Sequence, residues 1–377
     1  MAIDLQHLRD QLDDIDGQIV HLYEKRMDIC REVAEYKIEN GKQVLDKERE
    51  KSKLQTLKAM ASNDFYRHGV EELFEQIMSM SRKLQYQLLS KRGVIGRLPF
   101  MEVDSLKQLS ARVVFQGVEG ANSEAAMRAY FGDQVNSFHV ESFRDAMEAI
   151  EEGMADFAVL PIENSSAGIV SSIYDLLVEF ENYIVGEQVM KIENCLMSVK
   201  GAKLSDIRTV YSHPQALMQS ARYLEEHREW QQISMLNTAE AARMVAGEQD
   251  PSKAAIANSL AAKLYDLDIL EPQMCSNAAN STRFIIVTNQ KIYRKDAGKI
   301  SICFEIPHES GSLYHAMSHF IYNGLNMCKI ESRPIEGRNW EYRFFIDFEG
   351  NLNDSAVKNA LRGLRDETRN MRILGNY

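Results

Sequence analysis

Apolar positions along the chain change their period twice, and each change marks a different kind of structure. From the N-terminus, Leu5, Leu8, Leu12, Ile15, Ile19, Leu22, Ile29, Val33 and Tyr36 keep a 3-4 spacing, the seam of one long helix. The slot between Leu22 and Ile29 belongs to Arg26, and Lys37 lies three turns further on, within roughly 20° of the same face. A second helix starts at Asp46 as N-cap, "DKEREKSKLQTLKAM". A third runs from about 64 to 90 with Val70, Leu73, Ile77, Leu84 and Leu88 as its stripe, and Ser81 and Gln85 fall inside that stripe. A charge within such a seam is costly unless paired. Arg26, Lys37, Arg49, Ser81 and Gln85 are therefore candidates for one interior cluster. Arg26 by itself reads more readily as a snorkelling or salt-bridged heptad residue, while Glu24, Lys25, Glu32 and Glu35 read as solvated faces.

The mixed stretch "SKRGVIGRLPFMEVDSLKQLS" reads as a linker, 91–110. Beyond it, short apolar runs ("RVVFQG", "FAVLPIEN", "IRTVYSH", "AAIAN", "TRFIIV") alternate with helical segments such as "SEAAMRAYFG" and "SFRDAMEAIEEG". The pattern predicts α/β structure with mainly parallel sheet, in two lobes. Ligands of such folds sit beyond strand ends, where helix N-termini present amide groups to anions. Polar residues punctuate those places: Gly117 to Ser123, Glu163-Asn164-Ser165-Ser166, Ser212-His213-Pro214-Gln215, and Asn280-Ser281-Thr282-Arg283 before the apolar Phe284-Ile285-Ile286-Val287. Any one of these could be an ordinary helix cap or loop. Their recurrence favours a reaction site.

From about Lys299 the alternation becomes strict. Ile300, Ile302, Phe304 and Ile306 point one way, and Trp340, Tyr342, Phe344, Ile346 and Phe348 do the same in a later strand. Amphipathic helices lie between and after them, so the order is β-α-β-β-α-β, a ferredoxin-like domain that reads as regulatory or dimerising.

Length and charge narrow the partners. At 377 residues the chain has room for two or three domains, and 45% hydrophobic with 26% charged residues is ordinary for a soluble protein. The net charge of -11 argues against a nucleic-acid or anionic-membrane surface, though not against a local basic pocket. No apolar run approaches a membrane span, and the acidic, amphipathic N-terminus does not read as a signal peptide. Five scattered cysteines suit free thiols in a reducing cytoplasm. No Walker loop, GxGxxG or HExxH is present, so neither metal nor organic cofactor is expected.

Four stretches, "STRF", "PIENSSAG", "YSHPQ" and "KIESRPIEGRNWEY", resemble the bifunctional chorismate mutase/prephenate dehydratases of phenylalanine biosynthesis, in that family's domain order. The resemblance implies an all-α mutase domain (1–90), a two-lobed dehydratase domain like the periplasmic binding proteins (111–292), and an ACT regulatory domain (298–377). In the mutase, Arg9, Arg26 and Arg49 resemble the arginines that hold two substrate carboxylates, with Arg9 reaching into a partner chain's site. Lys37 and Gln85 look like the pair bracketing the ether oxygen. Asp46, Glu50 and Ser81 match positions contacting the substrate hydroxyl, a carboxylate or the flanking network. A Claisen rearrangement needs no nucleophile, only a clamped dianion and donors where charge develops, and an inventory of cations fits it. In the dehydratase, Thr282 is the expected donor to the leaving hydroxyl. Arg283 is a carboxylate grip or a brace, and Ser123, Glu163, Asn164, Ser165, Ser212, His213, Gln215 and Phe284 form the wall. Gly311, Ser312, Leu313, Glu331, Ser332 and Arg333 resemble the phenylalanine site of the ACT domain, although Glu331 and Arg333 could instead be a salt bridge within a turn. The resemblance implies chorismate and prephenate as substrates, phenylalanine as effector, and a homodimer or higher homo-oligomer.

One departure stands out. Where the family reads G-P-x-G-(small)-aromatic-S-x-x-A, this chain has "GVEGANSEAA", with Val118 for proline and Asn122 for the aromatic. Three rivals therefore stay open: an active mutase with an impaired dehydratase, a dehydratase preferring arogenate, and a non-catalytic phenylalanine sensor.

Overall fold

The computed structural model describes residues 4–92, 98–106, 111–275 and 279–377. The chain divides into two compact units, Met1–Pro99 with Gly298–Ile373, and Phe100–Ala297 with Leu374–Tyr377. Among the described residues, no helix is long and apolar enough to cross a membrane.

In the first unit, helix α1 spans Leu5–Glu39, α2 Lys47–Met60 and α3 Asp64–Lys91. Asp4 caps α1, and the Asp46 carboxylate caps α2 by accepting from the Arg49 N–H at 3.1 Å. The faces differ from expectation. Of α1, only Ala34 is fully buried, and Tyr23, Met27, Cys30 and Ile38 are partly covered, whereas the 3-4 seam is open to solvent, Leu12 at 59% and Leu22 at 64%. Arg26 and Lys37 lie at the border of the two faces, half-buried.

On α3, Met78, Arg82, Tyr86 and Leu89 are buried, while Val70, Ile77, Leu84 and Leu88 are only partly so and Leu73 is exposed. The expected stripe is corrected because a second element covers the helix. That element is the helix Ser355–Glu367 of the C-terminal segment.

The C-terminal segment has the expected β-α-β-β-α-β order: strands Lys299–Glu305, Met327–Pro334, Tyr342–Glu349 and Arg369–Asn376, with helices Ser312–Tyr322 and Ser355–Glu367. Strand Lys299–Glu305 lies beside Arg369–Asn376 on one side and Tyr342–Glu349 on the other, with Met327–Pro334 at the edge. Trp340 and Tyr342, expected to point inward, are exposed, because the strand begins only at Tyr342.

Among the described residues, the second unit holds a two-stranded sheet and two large ones. One contains, in order, Tyr183–Lys191, Ser281–Thr288, Phe157–Asn164, Arg112–Gln116 and Asn136–Val140. The other runs Asp268–Glu271, Asn194–Ser198, Lys253–Asn258, Thr209–Ser212 and Gln231–Ser234. Two lobes were expected. A mainly parallel sheet was too, but Ser281–Thr288 is antiparallel to both its neighbours. The reason is topological: Tyr183–Lys191 leads into the second sheet, and Ser281–Thr288 returns from it into the first. Phe284 to Val287 are at most 2% exposed, as a strand covered on both faces requires. Of the expected linker 91–110, residues 93–97 and 107–110 lie outside the described residues, while Met101–Val103 pairs with Ile292–Arg294.

Candidate active sites

In the helical site, Arg26 Nη1 donates to Ser81 Oγ at 2.5 Å and faces Cys30 Sγ at 3.7 Å. Ser81 gives its own proton to the Ile77 carbonyl at 2.7 Å, so its oxygen is free to accept. Lys37 Nζ donates to the Val44 carbonyl at 2.6 Å. Burial holds the Lys37 pKa below that of an ordinary lysine, although Asp46 and Glu50 oppose the shift. Lys37, Asp46 and Arg49 line one open cavity of about 1050 Å³ together with Ile29, Val33 and Tyr36.

Gln85 is buried one turn beyond Ser81, and its Oε1 has no hydrogen-bond partner among the described residues. Glu50 is turned to Arg82 at 2.5 Å. Arg9 is exposed near the start of α1, and 17 residues of helix place it about 25 Å from Arg26 along the axis. The structure thus gathers Lys37, Asp46 and Arg49, pairs Arg26 with Ser81, and leaves Arg9 apart.

The second site is a cleft of about 360 Å³ lined by Asn122, Ser123, Asn164, His213, Gln215 and Thr282, all expected. Asn194, Gln219 and Thr238 line it as well and were not anticipated. Among the described residues, its wall contains no Lys, Arg, Asp or Glu.

Asn164 Oδ1 accepts the backbone N–H groups of Ser166 and Ala167, both at 2.9 Å. The amide orientation is thereby fixed, and Nδ2 donates to Thr282 Oγ1 at 2.8 Å and to Asn280 Oδ1 at 3.0 Å. Because the Thr282 oxygen accepts from Asn164, its hydroxyl proton is left for a group in the cleft. Asn280 extends the chain of bonds to Gln219 Oε1 at 3.1 Å. His213 Nδ1 accepts from the Gln215 N–H at 3.2 Å, and burial lowers the His213 pKa, so the ring is a neutral Nε2–H donor.

Five other residues expected at this site do not line the cleft. Phe284 is packed in the core of the first sheet with Val113, Phe115 and Ile286, on the face that carries Thr282 at its end. Ser212 is fully buried and ties its strand to the Ile256 carbonyl at 2.6 Å. The Ser165 hydroxyl braces the turn through Ala279 O and Ser281 N. Arg283 lies between the Glu163 and Glu187 carboxylates at 3.6 and 3.4 Å.

Asn122 Oδ1 accepts from Asn258 Nδ2 at 2.8 Å, and the same Nδ2 reaches the Gly120 carbonyl at 2.9 Å. The amide that replaces an aromatic ring thus joins the two lobes. Gly120 has φ +85, and a Cβ there would lie 3.1 Å from Ala261 Cα. Only glycine permits that approach.

Among the described residues, the helical cavity is thus lined by charged side chains of both signs, Lys37 and Arg49 beside Asp46 and Glu48, and the cleft by neutral donors. Residues 8–86 match the type II chorismate mutase family, and residues 113–292 match the prephenate dehydratase family. The bifunctional chorismate mutase/prephenate dehydratase of Enterobacter agglomerans is 32% identical over 377 residues, covering 98% of this chain and 95% of that protein. The chain belongs to the bifunctional chorismate mutase/prephenate dehydratase family. Among solved structures, the prephenate dehydratase of Arthrobacter aurescens in complex with L-Phe is 31% identical, with a TM-score of 0.65 over 71% of this chain and 89% of that one. GqqA, described as a novel type of quorum quenching acylase, is also 31% identical, with a TM-score of 0.64 over 71% of this chain and 97% of that one.

In this member of the family, Gly311 (φ +79) precedes the helix Ser312–Tyr322. Gly311, Ser312 and Leu313 line a cavity of about 400 Å³ with Trp340 and Tyr342, while Glu331, Ser332 and Arg333 on the strand Met327–Pro334 do not line it. The reading of the mutase helices also missed Arg82, Lys83 and Tyr86, which bond the C-terminal segment through Glu367, Ser318 and Asp366. Their spacing with Met78 and Leu89 is a helical face that could have been found. Two strong polar residues on it hid the signal.

Proposed function

We propose that one chain runs two consecutive reactions. The helices of the first unit rearrange chorismate to prephenate, and the cleft of the second unit takes CO2 and the ring hydroxyl from prephenate to give phenylpyruvate. The observation that carries the reading is the Thr282 hydroxyl, held as an acceptor by Asn164 and so left to donate within an uncharged cleft.

In the mutase, Arg26 and Arg49 take the carboxylates, and Lys37 with Gln85 brackets the ether oxygen, where negative charge grows as the C–O bond breaks. Clamping a flexible dianion in a reactive conformation supplies most of the rest. Arg9 comes from a second copy. The exposed Leu5-to-Tyr36 seam supports that reading, since so long an apolar stripe calls for cover.

In the dehydratase, loss of CO2 pushes an electron pair through the ring and expels the hydroxyl. Thr282 donates a hydrogen bond to that hydroxyl as it departs. The substrate carboxylates meet neutral donors, among them the backbone N–H groups where the helix Asn122–Phe131 begins. The C-terminal β-α-β-β-α-β segment acts as an ACT domain that takes phenylalanine beside Gly311. Its topology, the cavity there and the L-Phe in the Arthrobacter structure support this assignment.

The test is to supply chorismate to the purified protein and follow prephenate and phenylpyruvate together, with and without phenylalanine. Prephenate should rise first and phenylpyruvate follow, more slowly when phenylalanine is present. A chain that consumes no chorismate would overturn the proposal.

A further inference from the structure

Among the described residues, a buried polar cluster lies where α3 meets the helix Ser355–Glu367, within the first unit. Arg82, with its side chain 10% exposed, stands between two carboxylates. Nη1 donates to Glu50 Oε2 at 2.5 Å, while Nε and Nη2 grip Glu367 Oε1 at 3.0 and 2.9 Å. Glu367 also meets His319 Nε2 at 2.9 Å. Burial favours the neutral acid at Glu367, but His319 and Arg82 outweigh it and hold the pKa at about 2. The next residue, Lys83, donates to Ser318 Oγ at 2.8 Å, and one turn further along α3 Tyr86 donates to Asp366 Oδ2 at 2.5 Å.

Two features connect this cluster to the mutase site. Glu50 follows Arg49 in the first turn of α2, so its direction depends on what holds it. Asp366, the neighbour of Glu367, lines the same cavity as Lys37, Asp46 and Arg49. The two-point grip of Glu367 fixes the plane of the Arg82 guanidinium, and the remaining Nη1 then has one direction in which to donate.

We propose that Arg82 is a positioning residue of the mutase, aiming Glu50 from α3 while Glu367 fixes Arg82, so that the mutase site is completed by the C-terminal segment of the same chain. The inference rests on the reading of Glu50 as a mutase-site residue. It goes beyond that reading by making a C-terminal helix a requirement of the N-terminal reaction. Without Glu367 the guanidinium has one anchor and can turn, and Glu50 turns with it. A staple serving only to hold the helices together would affect stability and leave the mutase turnover of the folded chain alone.

The experiment compares Glu367→Gln, Arg82→Lys, Arg82→Met and Glu50→Gln in the full chain, measuring mutase kcat and KM on chorismate, dehydratase turnover of prephenate, and Tm. Glu367→Gln should lower mutase kcat by about 10-fold, the scale expected of a misplaced site group, with KM nearly unchanged and the dehydratase at its parent rate. Arg82→Lys keeps the charge without the planar fork and should lose less than Arg82→Met. The double variant Glu50→Gln with Glu367→Gln should be no slower than Glu50→Gln alone, because the two act through one group. If Glu50→Gln slows the mutase while Glu367→Gln and Arg82→Lys do not, the positioning role is wrong and the Glu50 reading survives. A fully active Glu50→Gln chain would remove both. Parent dehydratase turnover in each variant certifies the fold of the second unit, and the Glu367→Gln and Arg82→Lys results decide the matter even if Arg82→Met does not fold.

Discussion

Replacing Asn164 by aspartate exchanges one NH2 for an oxygen and reverses the direction of one hydrogen bond. In the parent, Asn164 Nδ2 donates to Thr282 Oγ1 across 2.8 Å. With an oxygen in that place the contact joins two acceptors, and Thr282 relieves it by turning its proton onto the new carboxylate. The cleft then loses its hydroxyl donor and gains a negative charge that also repels the substrate carboxylates. Losing one preorganised donor to developing charge costs about 2.7–4 kcal/mol, or about 10²–10³ in kcat. The fold should tolerate the change, because the other carboxylate oxygen still accepts from Ser166 and Ala167, both at 2.9 Å. The donor now missing from Asn280 Oδ1 costs about 1 kcal/mol. The assay is phenylpyruvate formation from prephenate, with mutase turnover of chorismate as the internal control. Dehydratase kcat should fall at least to the level of Thr282→Val, with the mutase unchanged. A kcat within about threefold of the parent would refute the account of the hydroxyl, since that loss is well short of what one such donor supplies.

Other expectations follow from other parts of the molecule. Leu12→Asp with Ile19→Asp places charges on the exposed seam of α1, and light scattering should show dissociation to monomers, with loss of mutase activity and a working dehydratase. Gly120→Ala, at φ +85 and 3.1 Å from Ala261 Cα, should cost about 1–3 kcal/mol in the second unit and slow the dehydratase, read by thermal unfolding and turnover. Burial lowers the Lys83 pKa from 10.5 to about 8. Between those values the unfolded chain holds the extra proton, so the penalty is fully present below pH 8 and is relieved as pH rises through the window. Lys83→Met should therefore raise Tm at pH 7 and flatten the rise in stability from pH 8 to 10.5.

Local signals were readable in the sequence where a single element carried them. Asp46 starts α2 because a carboxylate at that place meets free N–H groups, and the apolar run after Thr282 is a strand covered on both faces because nothing else accommodates four such residues in a row. The 3-4 seam of α1 was also legible, but periodicity does not say what covers a face, and among the described residues nothing covers this one. The burial of Arg82 and Lys83 was not legible, because the helix that hides them lies about 280 residues later in the chain (Arg82 bonds Glu367 across 285). Strand direction was missed for a similar reason: the alternation of strands with helices suggested parallel pairing, and only the return of the chain from the second lobe makes Ser281–Thr288 antiparallel. At the cleft, residue types at strand ends found Asn164 and Thr282. Gln219 escaped because it ends a short helix rather than beginning one.

Two consecutive reactions at separate sites share this chain in our proposal, one carried by cations and the other by a neutral hydroxyl. The most direct measurement is the fate of chorismate in the Thr282→Val chain, followed to completion with both products quantified. Chorismate should be consumed at the parent rate and recovered as prephenate, with phenylpyruvate formation slowed by about 10²–10³. Phenylpyruvate appearing at the parent rate, or chorismate left unconsumed, would contradict the account.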